Sequence, residues 1–170
     1  MAEQDDGANF MNQPLPNGAD TTPAAGLISQ YVKDLSFENP NAPAVFQNDQ
    51  GPEINVQFDI GASQVGDEVH EVVLKIEVRA ETAGKTTFLV ELAYAGLFGL
   101  RNVPAETVQP FLLGEGPRLL FPFARRVVAD AIRDGGFPPL LLEPIDFNTL
   151  YQQQSEARDA QLSAGNFGQA

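Results

Sequence analysis

Side chains able to carry out catalysis are scarce in this chain, which has one histidine, His70, and no cysteine. A Ser-His-Asp mechanism would depend on His70 alone, and no GxSxG segment is present to hold a nucleophilic serine. One histidine cannot supply the usual ligands of a zinc site, and the acidic residues lack the spacing of a calcium loop. Phosphate-binding segments of the GxxxxGK(S/T) or GxGxxG type are missing as well. The sequence therefore predicts a protein that is not an enzyme and that binds no cofactor or metal.

The capacity to bind apolar groups is concentrated in residues 135–147, GGFPPLLLEPIDF, whose glycines and prolines exclude a regular helix or a central strand. Irregular segments normally lie at the surface and are polar, so these large apolar side chains need either a core or a ligand. The irregular connection at residues 38–53 also carries a large apolar side chain, Phe46. We expect both segments to lie over one sheet and to wall an apolar groove. The predicted lining residues are Phe46, Phe88, Phe137, Leu140, Leu141, Leu142, Phe147, Leu150 and Tyr151.

The net charge of the chain is −13, from 23 acidic and 10 basic residues. Such a chain repels phosphate backbones and anionic membrane surfaces and attracts basic segments of partners, which argues against nucleic-acid binding. No apolar run approaches the roughly 20 residues that span a bilayer. The first residues, MAEQDDGANFMNQP, lack the features of a secretory signal. Together with the lack of cysteine, these features predict a cytoplasmic protein that does not insert into a membrane.

Strands come first in the chain and helices second. Alternating apolar and polar residues predict strands at residues 31–38, 54–60, 72–81 and 86–97, and the last three form an antiparallel meander that the first can join. Apolar residues at spacings of three and four predict a helix over residues 121–134, which Gly135 and Gly136 end. Asp146 is placed to cap a last helix. This order predicts an α+β fold, with helices on one face of an antiparallel sheet.

Composition divides the chain into three segments. Residues 1–26 are polar and show no periodicity, which predicts a disordered N-terminal arm. Residues 27–154 hold all the patterned elements and are predicted to form the folded domain. Residues 155–170 follow a polar helix start and are predicted to be a flexible C-terminal tail.

One face of the predicted sheet carries side chains that are not typical of a core. In the first strand, the alternation places Tyr31, Leu35 and Phe37 on one face and Asp34, Ser36 and Glu38 on the other. The corresponding face of residues 86–97 carries Leu89 and Glu91. We expect this face to point to solvent or to a partner.

Three segments resemble the SecB family of protein-export chaperones: NPNAPAVFQ (39–47), TTFLVELAYAGLFGL (86–100) and LLFPFARRVVADAIRDGGFPPLLLEPIDFNTLY (119–151). The resemblance extends from residue 31 to residue 151. It implies a four-stranded antiparallel sheet with two helices, and a homotetramer that is a dimer of dimers. It also implies an ATP-independent holdase, which keeps unfolded precursor proteins competent for translocation and delivers them to the SecA motor. The apolar groove would then hold the client chains.

The resemblance also assigns residues to two contacts. The family's SecA-contact positions correspond to Asp34, Glu38, Leu89 and Glu91, which the face pattern leaves without a core role. In the family the helix at residues 121–134 belongs to the tetramer interior, so its apolar stripe is expected to form that interface. The stripe consists of Phe123, Val127, Val128, Ala131 and Ile132. The zinc ion of a secondary contact belongs to SecA, which agrees with the lack of metal ligands in this chain.

Two other interpretations use the same groove. A SecB-like chaperone could act on a toxin–antitoxin pair instead of exported precursors, and co-purification of an antitoxin would favour that role. A lipid- or small-molecule-binding α+β protein would show one bound ligand per chain in native mass spectrometry.

Overall fold

The fold is built on a four-stranded antiparallel sheet. The computed structural model describes residues 20–165. Its strands are β1 (Ala24–Glu38), β2 (Glu53–Gly66), β3 (Val69–Thr82) and β4 (Lys85–Arg101), in the spatial order β1-β4-β3-β2. Tight turns join the last three strands, and a connection with a short 3₁₀ helix at Ala44–Gln47 lets β1 pair with β4. The predicted meander, with the first strand added to it, is confirmed.

The helices follow the sheet in the chain and cover one of its faces. Helix α1 (Ala105–Pro110) continues into a π-helical turn at Phe111–Glu115, then into α2 (Gly116–Asp134), and α3 (Phe147–Gly165) comes last. Pro110 has no N–H to donate, so the regular hydrogen-bond pattern of α1 cannot continue through it. Helix α2 packs on β4 and β3. The predicted α+β fold class is confirmed.

The core lies between this helical layer and the sheet. Every second residue of β3 and β4 points toward the helices, because side chains alternate along a strand. These residues are almost fully buried: Val72, Leu74, Ile76, Val78, Ala80, Phe88, Val90, Leu92 and Tyr94. From the helical side, the buried residues that meet them include Leu112, Leu120, Ala124, Val128 and Ile132.

Part of the apolar stripe of helix α2, which was predicted to contact another protomer, lies in this core instead. Ala124, Val128 and Ile132 are four residues apart, so they form one row along the helix. Val128 and Ile132 are 0% exposed within the single chain, and the prediction that they form an interface between protomers is wrong. The stripe is wider than the contact between α2 and the sheet. Its inner edge, with Val128 and Ile132, faces the sheet, and its outer edge remains accessible. On that outer edge Phe123 is 42% exposed. Val127 and Ala131 are half-buried.

Two segment boundaries differ from those predicted. Strand β1 begins at Ala24, inside the predicted arm. The Arg101 guanidinium donates to the Asp20 carboxylate at 2.9 Å and the Asn102 amide donates to the Asp20 carbonyl at 2.8 Å, so the chain is anchored beside β4 before the strand starts. Helix α3 continues to Gly165, through most of the predicted tail, because its Ala, Glu, Gln and Arg residues favour a helix. The rest of the predicted arm and tail, residues 1–19 and 166–170, lies outside the described residues.

Candidate binding surfaces

The apolar segment at residues 135–147 begins with two glycines that pack against aromatic rings. Gly135 has a φ of −74°, which any residue can adopt, but a Cβ atom there would overlap the Phe37 ring. Gly136 has a φ of +91°, the left-handed conformation that ends many helices. A Cβ atom on Gly136 would lie 3.1 Å from the Phe46 ring. The glycines therefore let the segment approach both β1 and the connection after it.

Four phenylalanine rings lead from the sheet to the surface beside these glycines. The ring centroids of Phe37 and Phe88 are 6.1 Å apart, those of Phe88 and Phe137 4.9 Å, and those of Phe137 and Phe46 5.2 Å. Phe88 is buried and Phe46 is 50% exposed. The structure thus brings the segment at 135–147 and the connection carrying Phe46 together over one sheet.

The other end of the segment is fixed to helix α2. The Phe147 ring meets the Phe121 ring edge to face, with 5.6 Å between centroids. The Arg125 guanidinium donates a hydrogen bond of 3.2 Å to the Leu142 carbonyl and lies 6.0 Å from the centroid of the Phe121 ring. This donor satisfies a backbone acceptor that has no partner strand, so it holds an irregular segment in a defined position.

Asp146 ends the segment by capping helix α3, as the sequence predicts. Its carboxylate accepts hydrogen bonds from the Thr149 backbone N–H at 3.0 Å and from the Thr149 hydroxyl at 2.7 Å. These bonds stabilise the charged form and hold the pKa of Asp146 below its usual value. The start of α3, with Leu150 and Tyr151, is therefore fixed next to the apolar segment.

The nine predicted groove residues differ widely in exposure. Leu141 is 71% exposed, and Phe46 is also exposed, as given above. Phe88, Leu142 and Phe147 are buried, so the prediction that their side chains line an accessible groove is wrong. They face the layer between sheet and helices, where their own chain covers them. We call the six accessible or half-buried members the apolar surface: Phe46, Phe137, Leu140, Leu141, Leu150 and Tyr151.

The face of the sheet opposite the helices, here called the open face, carries all four predicted SecA-contact residues. The strand register places them in rows that cross the sheet, since residues directly opposite one another share a face. Asp34, Glu91 and Glu38 lie in three successive rows, and Leu89 is opposite Glu38. The rows, from β1 to β2, are Asp34–Ala93–Lys75–Asp59, Ser36–Glu91–Glu77–Gln57 and Glu38–Leu89–Arg79–Asn55.

The open face is negatively charged and slightly concave. A depression of about 350 Å³ lies over the first two rows, and Asp34, Asp59, Glu77 and Glu91 line it with a single cation, Lys75. Glu77 and Glu91 are direct cross-strand neighbours of like charge, an arrangement that destabilises a sheet unless a cation lies nearby. This face therefore suits a basic partner.

A covered carboxylate, Glu71, lies on the same face beside this depression. It accepts hydrogen bonds from the Tyr31 hydroxyl at 2.6 Å and from the Lys33 ammonium at 2.7 Å. The bond from Lys33, and then that from Tyr31, holds the pKa of Glu71 below its usual value, and the contact with Glu71 raises the pKa of Tyr31. Tyr31 does not share the face of Leu35 and Phe37, and that prediction is wrong, because a bulge between Val32 and Asp34 reverses the alternation.

His70 is half-buried on β3, consistent with the strand position expected for it. Within residues 20–165, no group of three or more His, Asp or Glu side chains is arranged to hold a metal ion. None of the helices in the same range combines the length and the hydropathy of a membrane-spanning helix.

Sequence reasoning missed several residues that shape the two surfaces. Alternation alone places Glu77 on the face of Glu91, but their direct pairing depends on an irregularity between Ala80 and Glu81 that has no sequence signal. The contact of Glu71 with β1 likewise depends on the β1 bulge. The role of Arg125 in holding the apolar segment has no sequence signal either, because its acceptor is a backbone carbonyl 17 residues away.

Comparison with known proteins connects this chain with proteins named SecB. The family described as "Preprotein translocase subunit SecB" matches residues 18–158. The "Protein-export protein SecB" of Sphingopyxis alaskensis is 64% identical over 151 residues, which cover 88% of each chain. That of Novosphingobium aromaticivorans is 57% identical over 162 residues, which cover 95% of this chain and 94% of the relative.

A solved structure has the same fold at low sequence identity. It is the SecB-like chaperone of Mycobacterium tuberculosis in complex with a peptide from the HigA1 antitoxin. The two structures have a TM-score of 0.60 and 19% sequence identity, and the match covers 71% of this chain and 90% of that one.

Proposed function

Since the chain belongs to the SecB family, we propose that it is an export chaperone that holds unfolded precursor proteins and passes them to the SecA ATPase. The apolar surface carries this proposal. It combines exposed aromatic and aliphatic side chains with a segment that prolines, Arg125 and a helix cap keep in place. A surface that is already ordered loses little conformational entropy when an extended client binds to it.

The accessible residues have the character that a binder of many sequences needs. Phe46 and Leu141 are open to solvent, and the Phe46 ring packs against Phe137, which packs in turn against the buried ring of Phe88. Covering about 400 Å² of client side chains at about 25 cal/mol per Å² yields about 10 kcal/mol before the costs of association. One protomer would therefore bind a client modestly, and several linked protomers would bind it tightly.

Leu141→Asp is expected to weaken the binding of an unfolded precursor about 10-fold. The aspartate removes apolar contact area and must lose hydration when the client covers it. Because Leu141 is 71% exposed in the free chain, the stability of the fold should change by no more than about 0.5 kcal/mol. Affinity is measured by titrating a fluorescently labelled, reduced precursor, and function by the suppression of its aggregation without nucleotide.

Leu162→Asp is the matched control, because Leu162 is 68% exposed but lies about three helical turns beyond Tyr151 along α3. Its affinity for the precursor should equal that of the parent. Equal losses in both variants, or equal aggregation with and without the parent protein, would contradict the proposed client site.

The open face is the surface that we propose for SecA. Asp34, Glu38 and Glu91 give it an acidic character, and Leu89 adds an apolar contact between them. Such a face attracts basic segments, and the attraction between exposed charges weakens as salt is added. It points away from the apolar surface, so one protomer could hold a client and SecA at the same time.

We further propose a homotetramer, a dimer of dimers, that works in the cytoplasm, where precursors are synthesised. The outer edge of α2, with Phe123, Val127 and Ala131, is the part of the predicted interface that remains accessible in one chain. Phe123→Asp would place an unpaired charge in that interface, at a cost of several kcal/mol. We expect light scattering to show a mass near four chains for the parent and a smaller one for this variant. Leu162→Asp is the control, and an unchanged mass for Phe123→Asp would contradict the interface.

A role with a toxin–antitoxin pair is less well supported. The relatives that are more than half identical to this chain are named for protein export. The antitoxin-bound structure is similar to this chain in fold only. Purification of the chain from its own cells distinguishes the roles: precursors support export, an antitoxin supports the alternative, and one small ligand per chain would support a carrier.

A further inference from the structure

The Glu71 carboxylate connects two strands that are not neighbours in the sheet. Its side chain is 11% exposed, and the Tyr31 hydroxyl and the Lys33 ammonium each donate to one of its oxygens. Tyr31 and Lys33 belong to β1 and Glu71 belongs to β3, with β4 lying between them. Both β1 side chains therefore reach across a whole strand, a span of about 10 Å, to meet one carboxylate.

Small residues on β4 leave room for this crossing. Tyr31 is directly opposite Ala95, and the next position on the same face of β4 is Ala93. Ala95 is 0% exposed although it lies on the open face, where an alanine without a cover would be accessible. Tyr31, which lies opposite Ala95 and whose hydroxyl reaches Glu71, is placed to supply that cover. The contact of Tyr31 and Lys33 with Glu71 is therefore accommodated by the residues of β4 beneath it.

The crossing residues lie at the bulge that sets the direction of Asp34. Val32 is opposite Tyr94 and Asp34 is opposite Ala93, so Lys33 is the extra residue on β1. Because side chains alternate along a strand, one extra residue moves everything after it to the other face. Without the bulge, Asp34 would point toward the helices and Leu35 toward solvent. The bulge is therefore required for the acidic open face.

We propose that Glu71 is a positioning residue of the SecA-binding face, which fixes the β1 bulge through Tyr31 and Lys33 so that Asp34 is presented to the partner. The inference rests on the proposed binding of SecA to the open face. Glu71 has a second effect of the same kind, since it keeps the Lys33 ammonium occupied and away from the Asp34 carboxylate. Glu71 itself is too covered to be a main contact.

Tyr31→Phe gives the cleanest test, because it removes one hydrogen bond to Glu71 without changing the charge of the face. We expect it to weaken SecA binding about 5-fold at low salt. Tyr94→Phe is the matched control: it removes a hydroxyl from the helical face of β4 and should leave SecA affinity as in the parent. A Tyr31→Phe variant with parental affinity would overturn the proposal.

A double-mutant cycle tests whether Glu71 acts through Asp34. Glu71→Gln is expected to weaken SecA binding about 10-fold in the parent and less than about 2-fold in an Asp34→Asn background. A role limited to general stability or charge would give the same loss in both backgrounds, and that result would overturn the proposal.

Amide hydrogen exchange of the full chain without SecA tests the bulge independently. Glu71→Gln and Tyr31→Phe should speed exchange at residues 32–36 about 10-fold and leave the β2–β3 pairing protected. Unchanged exchange at residues 32–36 would overturn the proposal whatever the affinity. If the parent does not bind SecA, the proposed function of the open face fails, while the exchange data still decide whether Glu71 fixes the bulge.

Discussion

Gly135→Ala is expected to lower the free energy of unfolding by about 3 kcal/mol, near the upper end of the usual cost of overpacking. The Cβ atom would lie within 2.5 Å of Cε1 of the Phe37 ring, which is held between Gly135 and Phe88. Gly135 has an ordinary φ of −74°, so backbone strain plays no part. A glycine-to-alanine change at an open site with such a φ would instead stabilise the protein by roughly 0.4–1 kcal/mol.

The measurement is urea unfolding at a fixed protein concentration, since assembly adds to apparent stability. Gly61→Ala on β2 is the matched control, because a Cβ atom there meets nothing within 4 Å. Adding Phe37→Leu to Gly135→Ala should recover part of the loss by removing the overlapping ring atoms. If Gly135→Ala is as stable as Gly61→Ala, the Phe37 ring can move aside. The packing of Phe37 between Gly135 and Phe88 would then not be tight, and the prediction would be wrong.

The effect should extend from stability to client binding. Phe37 contacts Phe88, Phe88 contacts Phe137, and Phe137 contacts Phe46. A displaced Phe37 therefore disturbs the support under the apolar surface. We expect Gly135→Ala to weaken precursor binding under conditions where it is still folded, whereas the open face, on the other side of the sheet from the Phe37 ring, should bind SecA with nearly parental affinity.

The strands and their faces were accessible from the sequence wherever the chain follows regular alternation. In β3 and β4 every second residue, from Val72 to Ala80 and from Phe88 to Tyr94, faces the helices, as a period of two predicts. The prediction of faces failed at Tyr31, because a bulge has no signature in residue types. A second failure concerns the ends of the predicted domain, since β1 already begins at Ala24 and α3 continues to Gly165. The start of β1 depends on contacts such as that of Asp20 with Arg101, which join residues far apart in the chain.

The functional surfaces were only partly accessible from the sequence for a related reason. Apolar residues in an irregular segment indicate either a core or a binding surface, and residue type does not separate the two. Phe88, Leu142 and Phe147 turned out to be core, while Leu141, the neighbour of Leu142, is open to solvent. Val128 and Ile132 likewise face their own sheet. Only the packing of a segment decides which of two adjacent leucines it exposes.

The two surfaces depend on a single choice of strand register. Along β4, Phe88 supports the apolar surface and Leu89 belongs to the open face, and on β1 Phe37 and Glu38 divide in the same way. A slip of one residue would exchange the two sets and place carboxylates under the helices. The bulge at Lys33, which sets the face of each later residue of β1, is therefore a condition for both functions at once.

Glu91→Lys is expected to weaken SecA binding about 100-fold at low salt, close to 3 kcal/mol, while precursor binding stays at the parental level. Glu91 is exposed in the middle row of the open face, between Ser36 and Glu77, and lines the acidic depression. A lysine there removes an attractive charge and adds a repulsive one for a basic partner. The loss should shrink in high salt, because exposed charges are screened.

The fold should tolerate this substitution, which makes the result easy to interpret. In the parent, Glu77 and Glu91 oppose each other with like charge, and Glu91→Lys turns that pair into an attractive one, so thermal stability should be equal or higher. Glu106→Lys makes the same charge change on helix α1 and should bind SecA like the parent. Binding is measured by calorimetry at two salt concentrations. An equal loss for Glu106→Lys would mean that net charge, and not the open face, attracts SecA, and a joint loss of precursor binding would mean that the sheet itself is disturbed.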